Sequence, residues 1–238
     1  TLHYPDAGED ALSDLTFSAK AGEVIGVIGG TGSGKSSLVN MIPRFYDAAD
    51  GAVFFDGRDV KSWQPEALRS QIGVVPQKAV LFKGTIRDNL RWGNPDADDA
   101  SLMQAIDAAQ AADVVKSKGG LDAEIEQGGK NLSGGQRQRL TIARALARKP
   151  KVLILDDSSS ALDFATDAAL RRALNHLPEK PTIFIVSQRT SSLQHADRII
   201  VLDDGAIVGL GTHDELLQTC EVYREIYDSQ FRKEAAKA

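Results

Sequence analysis

Gly29-Gly30-Thr31-Gly32-Ser33-Gly34-Lys35-Ser36 decides how the rest of the sequence is read. It fits the spacing G-x-x-x-x-G-K-[ST], and it stands where that spacing has meaning. The run Glu23 to Ile28 before it reads as a buried strand, and Leu38, Ile42 and Phe45 after it keep a helical period. Strand, glycine loop and helix in that order make a phosphate cradle. The glycines let successive backbone N–H groups turn inward around phosphate oxygens, and the helix that starts near Gly34 adds the positive end of its dipole. In this arrangement Lys35 reaches the β- and γ-phosphates and the Ser36 hydroxyl joins a Mg2+ shell.

Outward from the loop, the chain alternates. Short apolar β-branched runs at Val152 to Leu155, Thr182 to Val186 and Ile199 to Leu202, with a helical pattern around Asp167 to Leu174, predict a mostly parallel sheet of the α/β class. Asp14 to Ala19 and Gly51 to Phe55 have strand-like patterns, with a turn signal at Asp56-Gly57, so an antiparallel β subdomain is expected in the first third. From Thr85 to about Ala147 the sequence is Ala-rich and helix-periodic, broken at Gly93-Asn94-Pro95 and Gly119-Gly120, and carries almost no strand signal. This gives one domain over residues 1–238: a core with its β subdomain at about 1–84 and 148–238, and an inserted helical subdomain at about 85–147. Asp204-Gly205 predicts a hairpin, Thr212 to Glu215 has capping-box spacing before terminal helices, and a frayed tail is expected at Lys233 to Ala238.

Composition narrows the function classes. The chain has 28 Lys and Arg against 33 Asp and Glu, a net charge of -5, so its overall field offers no attraction to nucleic acid or an anionic membrane surface. No apolar run approaches the roughly 20 residues a membrane-spanning helix needs. The single cysteine, Cys220, leaves no internal disulfide framework and no Cys-based zinc site, which fits a reducing compartment. The opening at Thr1 lacks a signal peptide's charge and hydropathy pattern, and the expectation is an excised domain.

Two further stretches carry chemistry. Asp156 closes the strand Val152 to Leu155, the position of the magnesium carboxylate in P-loop NTPases. In Leu132-Ser133-Gly134-Gly135-Gln136, Ser133 and Gln136 have S-x-x-Q spacing at the start of a helical pattern running to Ala147. The two glycines clear side chains from the helix amides, making an anion site of what spacing alone would leave an ordinary capped helix.

The Gly29 to Ser36 loop, Gln77 after the strand Gly73 to Pro76, Leu132 to Gln136, Val152 to Asp156 and Ser160-Ala161-Leu162-Asp163 occur in the order and spacing of ABC transporter nucleotide-binding domains. The chain resembles that family over essentially its whole length. Leu81-Phe82-Lys83-Gly84-Thr85-Ile86-Arg87-Asp88-Asn89 further resembles the exporter branch, whose ATPase domain follows membrane helices in one polypeptide. The resemblance implies a RecA-like P-loop NTPase core with a helical subdomain, ATP and Mg2+ as cofactors, and a head-to-tail dimer. Each ATP then lies between the Walker A loop of one domain and the signature peptide Ser133 to Gln136 of the other. It also implies transmembrane domains as partners, no nucleic acid, and a location on the cytoplasmic face of a bacterial inner or plasma membrane. By the same resemblance Ser36, Gln77 and Asp156 face Mg2+, and Asp163 lies at the dimer seam. Glu126-Gln127-Gly128-Gly129 touches the coupling helices, and Tyr4 stacks on adenine, a contact that needs a ring face. Trp63, Trp92 and the histidines show no spacing that suggests chemistry, and packing is their default reading.

Two positions depart from the family. Where active members carry a glutamate that polarises the attacking water, this chain has Asp157, one methylene shorter; a displacement of about 1 Å can cost ~10²-fold. After the strand Ile183 to Val186, Ser187-Gln188-Arg189 replaces Ala-His-Arg. Gln188 can hydrogen-bond a γ-phosphate but cannot carry imidazole's charge or shuttle its proton. Both losses fall on the chain's own Walker site, whereas the signature peptide, which serves the partner's site, is intact. The pattern resembles the degenerate-site subunit of heterodimeric exporters. The alternatives are a homodimeric exporter with two equivalent sites, a soluble non-transporter ABC ATPase, and a regulatory module that holds ATP without hydrolysing it.

Overall fold

The computed structural model describes residues 1–5, 7–158 and 160–235, with side-chain burial assigned as far as Gln230. The tail expected to fray at Lys233 to Ala238 concerns residues whose side chains, and from 236 onward whose backbone, lie outside the described part. In chain order the elements are β1 (Val24–Gly29), α1 (Lys35–Met41), β2 (Phe54–Phe55), β3 (Arg58–Asp59), α2 (Pro65–Ser70), β4 (Ile72–Val75) and β5 (Gly84–Thr85). There follow α3 (Ile86–Arg91), α4 (Asp99–Ala108), α5 (Ala112–Lys118), β6 (Glu124–Ile125), α6 (Gly134–Ala147), β7 (Val152–Asp156) and α7 (Phe164–Asn175). The chain closes with β8 (Thr182–Val186), β9 (Arg198–Asp203), β10 (Ala206–Gly211), α8 (His213–Thr219) and α9 (Glu221–Ala235). Two compact units result, residues 1–69 with 182–238, and residues 70–181.

In the first unit the strands lie in the order β10-β9-β1-β8. β1 is parallel to both neighbours, with Val27 opposite Val186 on one side and Val201 opposite Ile28 on the other. Continuous apolar runs such as Ile183 to Val186 and Ile199 to Leu202 are what a sheet covered on both faces requires, and Ile25, Val27, Ile28 and Ile199 to Leu202 are all buried. β10 returns antiparallel to β9 through the expected Asp204-Gly205 turn, both residues at positive φ, and its register slips at a bulge between Ile207 and Gly209. The Asp56-Gly57 turn likewise joins β2 and β3, so the antiparallel expectation holds there, over two residues a side.

Two expectations fail in this unit. Asp14 to Ala19 is not a strand: Asp14 sits at φ 50°, and beyond the isolated bridge between Leu2 and Leu12 the segment joins no ladder. Its alternation is that of an extended segment laid on the sheet, with Phe17 edge-on to Phe184. The helix after the glycine loop ends at Met41, short of Phe45, because Pro43 supplies no N–H to continue it and Arg44 turns to φ 53°.

In the second unit β4 and β7 are parallel, with Val75 opposite Leu155. The helices expected between Thr85 and Ala147 are α3 to α6, but that stretch is not free of strand: Gly84–Thr85 pairs antiparallel with Glu124–Ile125. Thr85 then caps α3 in a full capping box with Asp88.

Candidate nucleotide site

Parallel strands release their chains at the same edge, which is where open α/β sheets hold ligands. Ser187 N–H donates to Val27 O at 3.1 Å, so the chain leaving β1 into Gly29 to Lys35 and the chain leaving β8 into Gln188 emerge side by side. The loop's conformation is dictated by its glycines at two points. A Cβ on Gly29 would lie 2.1 Å from Leu202 O, and Gly34, the residue before α1, takes φ 93° with its open side against Leu12 Cδ2 at 2.6 Å. By contrast a Cβ on Gly30 or Gly32 would meet nothing within 4 Å, so the loop is open at those two positions. No side chain caps α1 and its first turn holds no acidic residue. A glycine loop open at Gly30 and Gly32, a helix start without a side-chain cap and the Lys35 ammonium, which donates to Gly29 O at 3.0 Å and Gly30 O at 2.5 Å, are the donor set a phosphate chain takes. Ser36 follows in the first turn of the same helix.

Tyr4 reaches this helix. Its hydroxyl donates to Ser37 Oγ at 2.9 Å, and its ring meets Tyr46 edge-to-face, centroids 4.9 Å apart. Tyr46 is a partner of Tyr4 that the sequence pattern alone does not single out.

In the second unit the register fixes a second group. With Val75 opposite Leu155, Gln77 and Asp157 stand two residues beyond matched strand ends, and Gln77 Nε2 donates to Asp157 Oδ2 at 3.1 Å. Asp156 is the last residue of β7, and Asp157 turns away from the strand at φ 45°. That turn is held by Ser160, whose N–H and hydroxyl both donate to Asp157 O, at 3.3 and 2.9 Å. Asp163 caps α7 by accepting from Thr166 N–H at 2.9 Å and from its hydroxyl at 2.8 Å, and these bonds, the backbone one first, hold its carboxyl below the usual aspartate range.

Ser133 and Gln136 form the expected capping box at the start of α6: Gln136 N–H donates to Ser133 Oγ at 3.2 Å, and Ser133 N–H to Gln136 Oε1 at 3.0 Å. A Cβ on Gly134 would meet nothing, whereas one on Gly135 would press to 3.1 Å from Ala161 O, which ties the signature glycines to the stretch before Asp163. In the Glu126 to Gly129 stretch, Glu126 is extended and Gln127–Gly129 forms a short 3-10 turn with Gly128 at φ 73°. Trp63 packs on Phe55 beneath Arg58, a packing role as expected. Trp92, 65% exposed, leans on Phe82. Among the described residues no cluster of three or more His, Cys, Asp or Glu could hold a metal, and no helix is long and apolar enough to cross a membrane. Mg2+ bound to a nucleotide asks for less than such a cluster: one carboxylate and a hydroxyl or amide oxygen, with phosphates and water completing the octahedron. Asp156, Ser36 and Gln77 are of those types.

Comparison with known proteins agrees with this chemistry. The family model described as "ABC transporter" matches residues 12–160. The "Uncharacterized ABC transporter ATP-binding protein YfiB" of Bacillus subtilis is 43% identical over 100% of this chain and 41% of its own length. A "Putative multidrug export ATP-binding/permease protein" of Staphylococcus aureus is 39% identical over 97% of this chain and 40% of its own. Among solved structures, that of a bacterial Atm1-family ABC exporter with ATP bound superposes with a TM-score of 0.91 at 33% identity, over 96% of this chain and 40% of that one. The chain thus spans about two fifths of the length of the relatives it matches. With a P-loop at the end of β1, a capped glycine pair opening α6 and a family model covering both, the chain belongs to the ABC transporter family.

Proposed function

We propose that the chain is the ATP-binding unit of an ABC exporter, in which ATP binding and hydrolysis at a head-to-tail pair of such units drive export through transmembrane domains. The observation that carries the nucleotide reading is the Gly29 to Lys35 loop at the end of β1, open at Gly30 and Gly32 and carrying the Lys35 ammonium on its carbonyls. The exporter reading is supported by the multidrug-export relative of Staphylococcus aureus and the Atm1-family structure. Tyr4 presents its ring to adenine, and Lys35 with the amides of Gly29 to Ser36 holds the β- and γ-phosphates. Ser36, Asp156 and Gln77 hold Mg2+, which when bound neutralises charge that develops on the phosphate oxygens. On this reading the place of the complex is the cytoplasmic face of a membrane.

The site on this chain is the slow one of two. Asp157 is the water-orienting carboxylate, held short of the family glutamate's reach and tied to Gln77. Gln188 contacts the γ-phosphate without the imidazole's charge. Ser133, Gly134, Gly135 and Gln136 close over the ATP of a second, different subunit, which brings the catalytic glutamate and histidine, and Asp163 stands at the seam. The support is in the residues themselves: the losses at 157 and 188 belong to one Walker site, while the signature peptide is complete.

Lys35→Ala tests the nucleotide reading. Titration with a fluorescent ATP analogue should show affinity falling by at least tenfold, since a charge-assisted contact to phosphate is lost. Equal dissociation constants for wild type and variant would refute the phosphate site.

A further inference from the structure

Gln230, on α9, makes three hydrogen bonds to the turn that carries Gln188. Its Oε1 accepts from Thr190 N–H and from the Thr190 hydroxyl, each at 3.0 Å, and its Nε2 donates to Gln188 O at 2.7 Å. The chemistry fixes the direction of the amide, because a backbone N–H requires an acceptor and a carbonyl a donor; the flipped amide would lose both backbone bonds and keep only the contact with the Thr190 hydroxyl, its roles reversed. Thr190 is 2% exposed and opens a 3-10 turn, Thr190–Ser192, whose preceding residue, Arg189, supplies no side-chain cap. Gln230 therefore does from 40 residues away what a capping side chain does locally. One more bond completes the brace: Arg189 N–H donates to Ser187 Oγ at 3.0 Å, and Ser187 is itself buried. The backbone from 187 to 190 is held at each residue, while the Gln188 side chain is left exposed.

We propose that Gln230 is a positioning residue for the γ-phosphate end of the nucleotide site, setting the direction in which Gln188 leaves its turn. The inference rests on the reading of Gln188 as a γ-phosphate contact. A head group with a donor and an acceptor on one rigid plane is what the task needs: a carboxylate could not donate to Gln188 O, and an ammonium could not accept from Thr190. The helix does not depend on Gln230 for its attachment. Tyr223, fully buried two turns earlier on α9, anchors it with a hydroxyl contact to His213 Nδ1 at 2.8 Å. Loss of the Gln230 amide should therefore loosen the turn without releasing α9.

The test compares Mg-ATP with Mg-ADP on the full chain, because only ATP carries the γ-phosphate that Gln188 meets. Gln230→Met, similar in shape but without the amide, should weaken ATP binding by about tenfold, the effect of losing one hydrogen bond to a charged group. ADP binding should change by less than about twofold, within the effect of a surface substitution. Gln230→Glu keeps both bonds from Thr190 and loses the one to Gln188 O, so its ATP/ADP ratio should fall between; it carries the test if the methionine variant does not fold. Hydrogen exchange gives a second measure: the Thr190 amide should be protected in the wild type and exchange faster in Gln230→Met, with amides around Tyr223 unchanged. Equal weakening of ATP and ADP, an unchanged ratio, or an unprotected Thr190 amide in the wild type would each overturn the positioning role. Gln188→Ala separates the two levels. If it leaves the ATP/ADP ratio unaltered, the reading of Gln188 fails and the proposal with it; if it lowers the ratio while Gln230→Met does not, the brace alone is wrong.

Discussion

Restoring the family glutamate at position 157 should move activity and stability in opposite directions. Asp157→Glu adds one C–C bond, about 1.5 Å of reach, which exceeds the ~1 Å displacement that can cost ~10²-fold when a group must hold a reacting water in line. Gln188 still lacks a charge, so the expected gain is about 10- to 10²-fold in ATP hydrolysis at this site, roughly 1.4–2.7 kcal/mol of barrier. The backbone works against the change. Residue 157 sits at φ 45°, held there by two hydrogen bonds from Ser160 to its carbonyl. Left-handed backbone costs an ordinary L-residue roughly 1–2 kcal/mol, and aspartate tolerates it better than glutamate. A stability loss of about 0.5–1 kcal/mol follows, that cost being partly offset in the aspartate form. The assay is single-turnover ATP hydrolysis in the assembled transporter, with the partner's own hydrolysis disabled, alongside urea unfolding of the chain. A variant that binds ATP normally, loses stability as expected and hydrolyses no faster would refute the idea that the short carboxylate limits this site.

In the assembled transporter Gly135→Asp should abolish most ATPase activity by disturbing an anion-facing helix start, worth ~10²-fold or more, whereas Asp157→Ala should reduce it modestly; equal, near-complete losses would favour two equivalent sites. Gly34→Ala forces a side chain at φ 93° against Leu12 and should destabilise the chain by about 2–4 kcal/mol in urea unfolding; an unchanged midpoint would contradict the loop geometry. Glu23, whose carboxyl the hydrogen-bonded Arg198 guanidinium holds below its ordinary 4.5, binds its proton more readily in the unfolded chain. The pair's contribution is thus complete above about pH 4.5 and disappears as pH falls through the lower folded-state value, so Glu23→Gln should flatten the acid side of the stability profile, and a profile of unchanged steepness would show that the pair contributes nothing there.

How far the sequence carries is set by how local the cause is. Gly29 to Ser36 could be read because strand, loop and helix are contiguous and each glycine has a local reason. The Ser133 and Gln136 capping box was equally plain, being two side chains three residues apart closing on each other's backbone. Asp14 to Ala19 misled because alternation reports which side chains face inward and not whether the backbone has a partner. Gly84–Thr85 and Glu124–Ile125 are too short to alternate at all, so only their pairing makes them strands. Gln77 meeting Asp157 follows from the β4·β7 register, which no local pattern encodes. Gln230 was hidden for the same reason: it continues the face of Tyr223 and Tyr227 on α9, but its partners are 40 and 42 residues away.

The bulge in β10 bears on solubility. Val208 and Leu210 are 44% and 42% exposed on a strand that ends the sheet of its unit, the kind of apolar border along which copies of a chain add strand to strand. The register slip between Ile207 and Gly209 interrupts the even spacing of free amides and carbonyls that such stacking needs, and coils the border away from flatness. Gly209 makes the slip compact, since a Cβ there would lie 2.8 Å from Cys220 Sγ. A larger residue at 209 would have to push α8 outward or straighten the strand, and a straightened border with two bare aliphatic side chains is a template for aggregation during overexpression.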